Sequence, residues 1–179
     1  SLPFAPLNFD ARHARSLEAV VQMVEVRRAL EAEVAALAAQ RRSRNDLQRI
    51  DRAVAALDAA VAAGHDGVEE DVLFHRSIAE AARNPFLIST LDYLAQFLRG
   101  ATRVTRANEA RRADFAAQVR AEHAAIVQAI QAGDSPRARQ AAGDHMNNAI
   151  RRVESADPTF WSQEGERLAQ PLVHGLPAA

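Results

Sequence analysis

Residues 109–155 read EARRADFAAQVRAEHAAIVQAIQAGDSPRARQAAGDHMNNAIRRVES, and the fold turns on this stretch. Ala116, Val119, His123, Ile126 and Ile130 recur at a 3-4-3-4 spacing, which is one stripe of an α-helix. Ala138, Ala142, His145, Ala149 and Val153 nearly repeat it. Gly133 closes the first run, and Ser135-Pro136 opens the second as an N-cap followed by proline at the first helical position. The two runs predict an antiparallel helical hairpin turning near Asp134. His123 lies eleven residues before that point and His145 eleven after it. Equal offsets in a hairpin set the two side chains at one height.

The helical period continues upstream. Leu17, Val20, Val21, Val24, Leu30, Val34 and Leu37 predict a helix from Ser16 to about Gln40. Ser43, with Asp46 three residues on, caps a second helix that ends at Gly64. Asp66, with Glu69, is expected to cap a third, which Asn84-Pro85 stops while starting a fourth. That fourth helix carries Leu87, Leu91, Leu94 and Leu98 and fades after Arg106. Asp157-Pro158 breaks the sixth and last. Residues 1–15, with Pro3 and Pro6, read as a linker or arm, and residues 156–179 as an irregular tail that Trp161 docks onto the body. No segment alternates with period two. The expected fold is all-α, an antiparallel bundle of about six helices over residues 16–155.

Composition agrees. Of 179 residues 40 are Ala and only 7 are Gly and 7 Pro, which favours helix. There is no Cys, so disulfides, zinc ribbons and thiol nucleophiles are excluded. No apolar run reaches the ~18 residues of a membrane helix, and no signal peptide is visible, so a cytoplasmic location and no membrane partner are expected. All 22 basic residues are Arg, and the formal net charge is −1, too little basic excess for duplex DNA binding by this chain alone.

Polar groups on the apolar seams carry the chemistry. Val68, Asp71, His75, Ile78 and Ala82 form the third helix's stripe, with Asp71 and His75 at i and i+4. One carboxylate and three imidazoles therefore sit where apolar side chains belong, which is costly unless they satisfy one another. If the third helix packs on the hairpin, Asp71, His75, His123 and His145 converge as a ligand set. Such a set suits Zn²⁺, with Ni²⁺, Mn²⁺ or Fe²⁺ as alternatives. The blander reading is a set of satisfied core histidines. His13, His65 and His174 read as solvent-exposed. His-Glu-x-x-His, Glu-x-x-His, Gly-x-Ser-x-Gly and phosphate-loop motifs are all missing.

The ordered motifs resemble a known family. Val26-Arg27-Arg28-Ala29-Leu30-Glu31, then Asp71-Val72-Leu73-Phe74-His75 and Asn84-Pro85, then Glu122-His123-Ala124-Ala125-Ile126 with Gly133-Asp134, and finally Asp144-His145-Met146, resemble the FCD domain. That is the C-terminal effector-sensing domain of FadR-type regulators in the GntR superfamily. The resemblance covers roughly residues 16–155. It implies a metal held by Asp71, His75, His123 and His145, and a cavity in which the metal helps bind a small carboxylate effector. It also implies a winged helix-turn-helix domain upstream, absent from this chain, that binds operator DNA. Arg27 is the first candidate for pairing with an effector carboxylate, the alternative being a surface arginine paired to Glu31 four residues on. Arg99, judged closest of Arg99, Arg103 and Arg106 to the apolar stripe, is the second, and Asn148 the third.

The expected function is thus the ligand-sensing and dimerisation domain of a DNA-binding transcriptional regulator, a homodimer responding to an organic acid. The alternative is a metal-dependent hydrolytic enzyme of all-α fold. Against it, no seam carboxylate beyond Asp71 offers a general base. A third reading, a purely structural bundle, would hold no metal.

Overall fold

A computed structural model describes the backbone of residues 4–175 and the side chains of residues 12–175. Helix α1 (Phe4–Arg41) is followed by α2 (Arg44–Ala62), α3 (Val68–Ala81), α4 (Pro85–Tyr93), α5 (Ala95–Glu109), α6 (Ala113–Gln131) and α7 (Ser135–Glu154). A last segment runs through α8 (Pro158–Phe160), a π-helical turn at 161–165 and α9 (Glu166–His174). There is no strand among the described residues. The fold is the expected all-α bundle. α1 packs chiefly along α7 and also against α9 and α3, α2 packs on α3, and α6 and α7 form the antiparallel hairpin.

Several helix ends are set by local chemistry that the sequence displays. Ser43 and Asp46 form a reciprocal capping box at α2. Asn84 caps α4 with Pro85 at the first position. Other ends differ from expectation. Asp134, rather than Ser135, caps α7 and accepts from the Arg137 N–H. Gly67, not Asp66, is the N-cap of α3. Its φ of +72° and its contact with Leu57 and Arg106, 3.0 and 3.3 Å from a built Cβ, leave no room for a side chain.

Three larger expectations are corrected. Residues 4–15 are not an irregular arm but the start of α1. Pro6 falls in its first turn, where no intrahelical bond is lost. The fourth helix divides at Leu94 (φ −88°, ψ 0°) into α4 and α5, which rotates the face of everything beyond. The tail is helical over residues 158–174, with 176–179 outside the described residues, and Trp161 docks it as anticipated, 1% exposed against Phe160 and α1.

The core has two apolar halves. One gathers Val34 and Ala38 of α1, Ile50 and Leu57 of α2, Phe74 and Ile78 of α3, and Ile126 and Ile130 of α6. The other gathers Val20 and Val24 of α1, Ala101 and Val104 of α5, Met146 and Val153 of α7, Trp161 and Leu172. On α1, Arg27 and Glu31 fall between Val24 and Val34; on α7, His145 falls between Ala142 and Ala149. A polar layer thus separates the two halves, and the histidines lie in it.

Candidate metal centre

α3, α6 and α7 each send one imidazole into this layer. The Nε2 atoms of His123 and His145 are 3.1 Å apart, and ligand nitrogens of His75, His123 and His145 all lie within 4.8 Å of one another. Asp71, one turn before His75, places Oδ1 3.3 Å from His75 Nε2. Phe74 packs on the His123 ring at 4.9 Å between centroids and limits its rotation. The three histidines among the four predicted ligands are therefore brought to one place, and Asp71 adjoins them through His75.

Carboxylates hold the outer ring nitrogens. His75 Nδ1 faces Glu31 Oε1 at 3.1 Å, and His145 Nδ1 faces Glu122 Oε1 at 2.8 Å. Such contacts fix the Nδ1–H tautomer and turn the Nε2 lone pairs inward. Glu31 is held in turn by Arg27, whose Nε lies 3.1 Å away and whose Nη1 donates to Thr102 Oγ1 at 3.2 Å. Arg152 binds Glu122 through two N–H groups, both at 2.8 Å, and Glu109 at 3.0 Å. The sequence offered Glu31 only as a partner of Arg27 and gave Glu122 no role, since no second carboxylate was expected beside the histidines. Each serves a histidine on another helix, so no spacing along one helix reveals it.

Burial works against charge throughout. It pushes the Glu31 carboxyl up, but Arg27 and His75 outweigh it and hold the group at about 2. It acts likewise on Glu122, which hydrogen bonds from Arg152 and His145 bring down to about 2. At Asp71 burial is overcome by His75, leaving it well below the ordinary carboxylate range. At His75 burial opposes protonation, but Glu31 and Asp71 prevail and raise it to about 9. Burial lowers His123, with the positive field of His145 adding to it. Burial also lowers His145, although the Glu122 hydrogen bond works the other way. Two of the imidazoles are thus kept in the neutral form that binds metal. Glu109 goes the other way: burial raises it to about 7 despite Arg152 and Arg106.

The donor set fits a transition ion. Two nitrogens 2.0–2.1 Å from one tetrahedral ion stand about 3.3 Å apart, close to the 3.1 Å between the Nε2 atoms of His123 and His145. His75 Nε2 is buried, and Asp71 Oδ1, 3.3 Å away, does not meet hydrogen-bond geometry, so this nitrogen is an acceptor that a metal would satisfy.

The three anion candidates fare differently. Arg27 is 5% exposed. With His75, Thr102 and Arg99 it lines a small cavity of about 90 Å³ between α1, α3 and the α4–α5 junction. Arg99 sits at its rim and reaches out to Glu69. Asn148 does not face this cavity; its Nδ2 donates to Glu122 Oε2 at 2.9 Å. The order expected along the fourth helix is reversed. Arg106, not Arg99, is the buried member, with Nη1 3.5 Å from Asp71 Oδ2, because the break at Leu94 turns α5 relative to the α4 stripe. His65 and His174 are exposed, as expected. His13 is half-buried and stacks on Trp161 at 5.2 Å.

The family model described as the FCD domain matches residues 22–148. Among curated proteins, the HTH-type transcriptional regulator LutR of Bacillus subtilis (strain 168) is 33% identical over 132 residues, 73% of this chain and 60% of LutR. A putative L-lactate dehydrogenase operon regulatory protein of Escherichia coli (strain K12) is 30% identical over 128 residues, 70% of this chain and 48% of that protein. The chain thus spans about half to three fifths of the length of these relatives. Among solved structures, a Streptococcus agalactiae GntR has a TM-score of 0.62 at 23% identity, over 76% of this chain and 60% of that one, a likeness of fold.

Proposed function

The chain belongs to the FCD domain family, and on that premise we propose that it is the effector-sensing domain of a transcriptional regulator, holding one divalent metal beside a small carboxylate. The observation that carries the reading is the inward convergence of three imidazoles, two of them clamped from behind by carboxylates. Asp71, His75, His123 and His145 are the ligands, and Zn²⁺ is the ion that the donor set favours. When bound, the ion would supply positive charge and, on expanding beyond its four protein ligands, a position for an acid's oxygen.

Charge balance supports an anionic effector. Arg27, Arg106, Arg152 and a divalent ion together outweigh Asp71, Glu31, Glu122 and the part-ionised Glu109 by one to two charges, in a layer where an uncompensated charge is costly. Arg27, Thr102 and His75 line the cavity in which the acid would neutralise it. The hydrolase reading is disfavoured by the same geometry. Glu31 and Glu122, the carboxylates nearest the histidines after Asp71, are held at about 2 and engaged by guanidiniums, which suits orientation rather than proton abstraction. A DNA-binding domain upstream, a cytoplasmic homodimer and operator control by effector-driven rearrangement of helices complete the proposal.

A thermal-shift screen of small organic acids on zinc-loaded protein tests it. The regulator of a lactate dehydrogenase operon among the relatives makes short 2-hydroxy acids the first arm. At 100 times its dissociation constant an effector should stabilise the chain by about 2.7 kcal/mol. If no acid shifts the zinc-loaded chain, the effector assignment is wrong.

A further inference from the structure

A second opening reaches the polar layer from the opposite side. A cleft of about 500 Å³ runs between α2 and α6, within the range of small-molecule sites. Its walls are apolar for a specific reason. On this side α6 presents Ala116, Ala117, Ala121 and Ala124, too short to fill the gap to Leu57 and Val61 of α2. α2 accordingly leans mainly on α3 and touches α6 lightly. The inner end is polar: Arg106 and His123, both buried, line it. At the mouth Arg120 and Asp58 pair at 3.6 Å.

Arg106 is held in place from several directions. Its Nε donates to the Asp66 carbonyl at 2.9 Å, and the turn at Gly67 packs against its Nη2. Its single carboxylate contact, Asp71 Oδ2, is long at 3.5 Å, and Asp71 is also a proposed ligand of the ion. A pre-positioned guanidinium with a loosely held counter-charge, beside His123, therefore closes a cleft whose middle is walled by Leu57, Val61 and alanines and whose mouth carries the Arg120–Asp58 pair. Guanidinium geometry matches a carboxylate, and the alanine wall matches an alkyl or aryl body.

We propose that the α2–α6 cleft is a binding site for carboxylates with an extended apolar body, the carboxylate on Arg106 and the hydrocarbon between α2 and α6. The site is separate from the Arg27 cavity and stands whether or not a short acid binds there.

The test is isothermal titration of the full chain, zinc-loaded and zinc-free, with the straight-chain acids from acetate to octanoate. Each methylene taken up by the cleft should tighten binding about twofold to fourfold. Octylammonium, with the same tail and the opposite charge, should not bind. Ala121→Phe, which fills the cleft from an exposed helix position, should abolish the chain-length increment and leave any response to short acids unchanged. Arg106→Gln should weaken the chain-length-dependent binding of the longer acids at least tenfold. Affinity independent of chain length, equal binding of octylammonium, or an increment that survives Ala121→Phe would overturn the proposal. Because Ala121 lies outside the buried core, its variant decides the matter even if Arg106→Gln does not fold.

Discussion

Glu122 sits beside His123 in sequence but serves His145 on the neighbouring helix, and Arg152, seven residues after His145, secures it with two hydrogen bonds. Orienting carboxylates of this kind typically change metal affinity 10- to 100-fold. Glu122→Gln and Glu31→Gln should therefore each weaken zinc binding by about that factor in competition titrations, without abolishing it. His145→Ala should abolish stoichiometric binding and also destabilise the fold, because it opens a cavity and strands Glu122. Arg27 was legible as a functional candidate from its place in an Arg-x-x-Leu-Glu run. Its pairing with Glu31 at i+4 was legible too, but as a surface pair; that the guanidinium is buried and also bound to Thr102 was not. Arg27→Ala should accordingly do two things: weaken the thermal shift given by small acids, and lower stability in urea by about 3–5 kcal/mol, since Glu31 is left buried without its cation. A variant as stable as the wild type would mean that Glu31 finds another partner or a proton.

The caps of α2 and α4 were legible, because Ser43, Asp46, Asn84 and Pro85 act through contacts within three residues of themselves, whereas those of α3 and α7 fell one residue from the expected place. Asp46 shows what such a cap contributes. Burial pushes its carboxyl up, but the Ser43 backbone N–H and hydroxyl, Arg83 and Arg49 together bring it below its ordinary value. A lowered native value means stability that is present above about pH 4 and is lost as pH falls through the native value. Asp46→Ala should therefore cost about 1–2 kcal/mol at pH 7 in urea unfolding, with the deficit shrinking below about pH 4. A deficit that stays constant from pH 7 to pH 3 would contradict the ionic part of this account. The C-terminal segment was the least legible. Its helical turns depend on Phe160 and Trp161 meeting α1 and α7, contacts that no local period announces. Trp161→Ala should cost about 3–5 kcal/mol, as expected for a fully buried aromatic.

Across the whole molecule, one polar layer lies between two apolar cores, and its cost is met only if its members satisfy one another. Hairpin symmetry placed His123 and His145 together from the sequence alone. The direction of α5 was not available in the same way, since a single break at Leu94 decides which arginine faces inward. With a net charge of −1 and its helices committed to the bundle, the chain should give no gel shift with duplex DNA at moderate salt. The ligand set is the claim on which the rest depends, and X-ray absorption at the zinc edge of zinc-loaded chain, desalted to remove free ion, tests it most directly. The account predicts one zinc per chain with three imidazole nitrogens at about 2.0–2.1 Å and a carboxylate oxygen, and loss of that shell in His123→Ala. Zinc that washes out, or a shell without imidazoles, would contradict it.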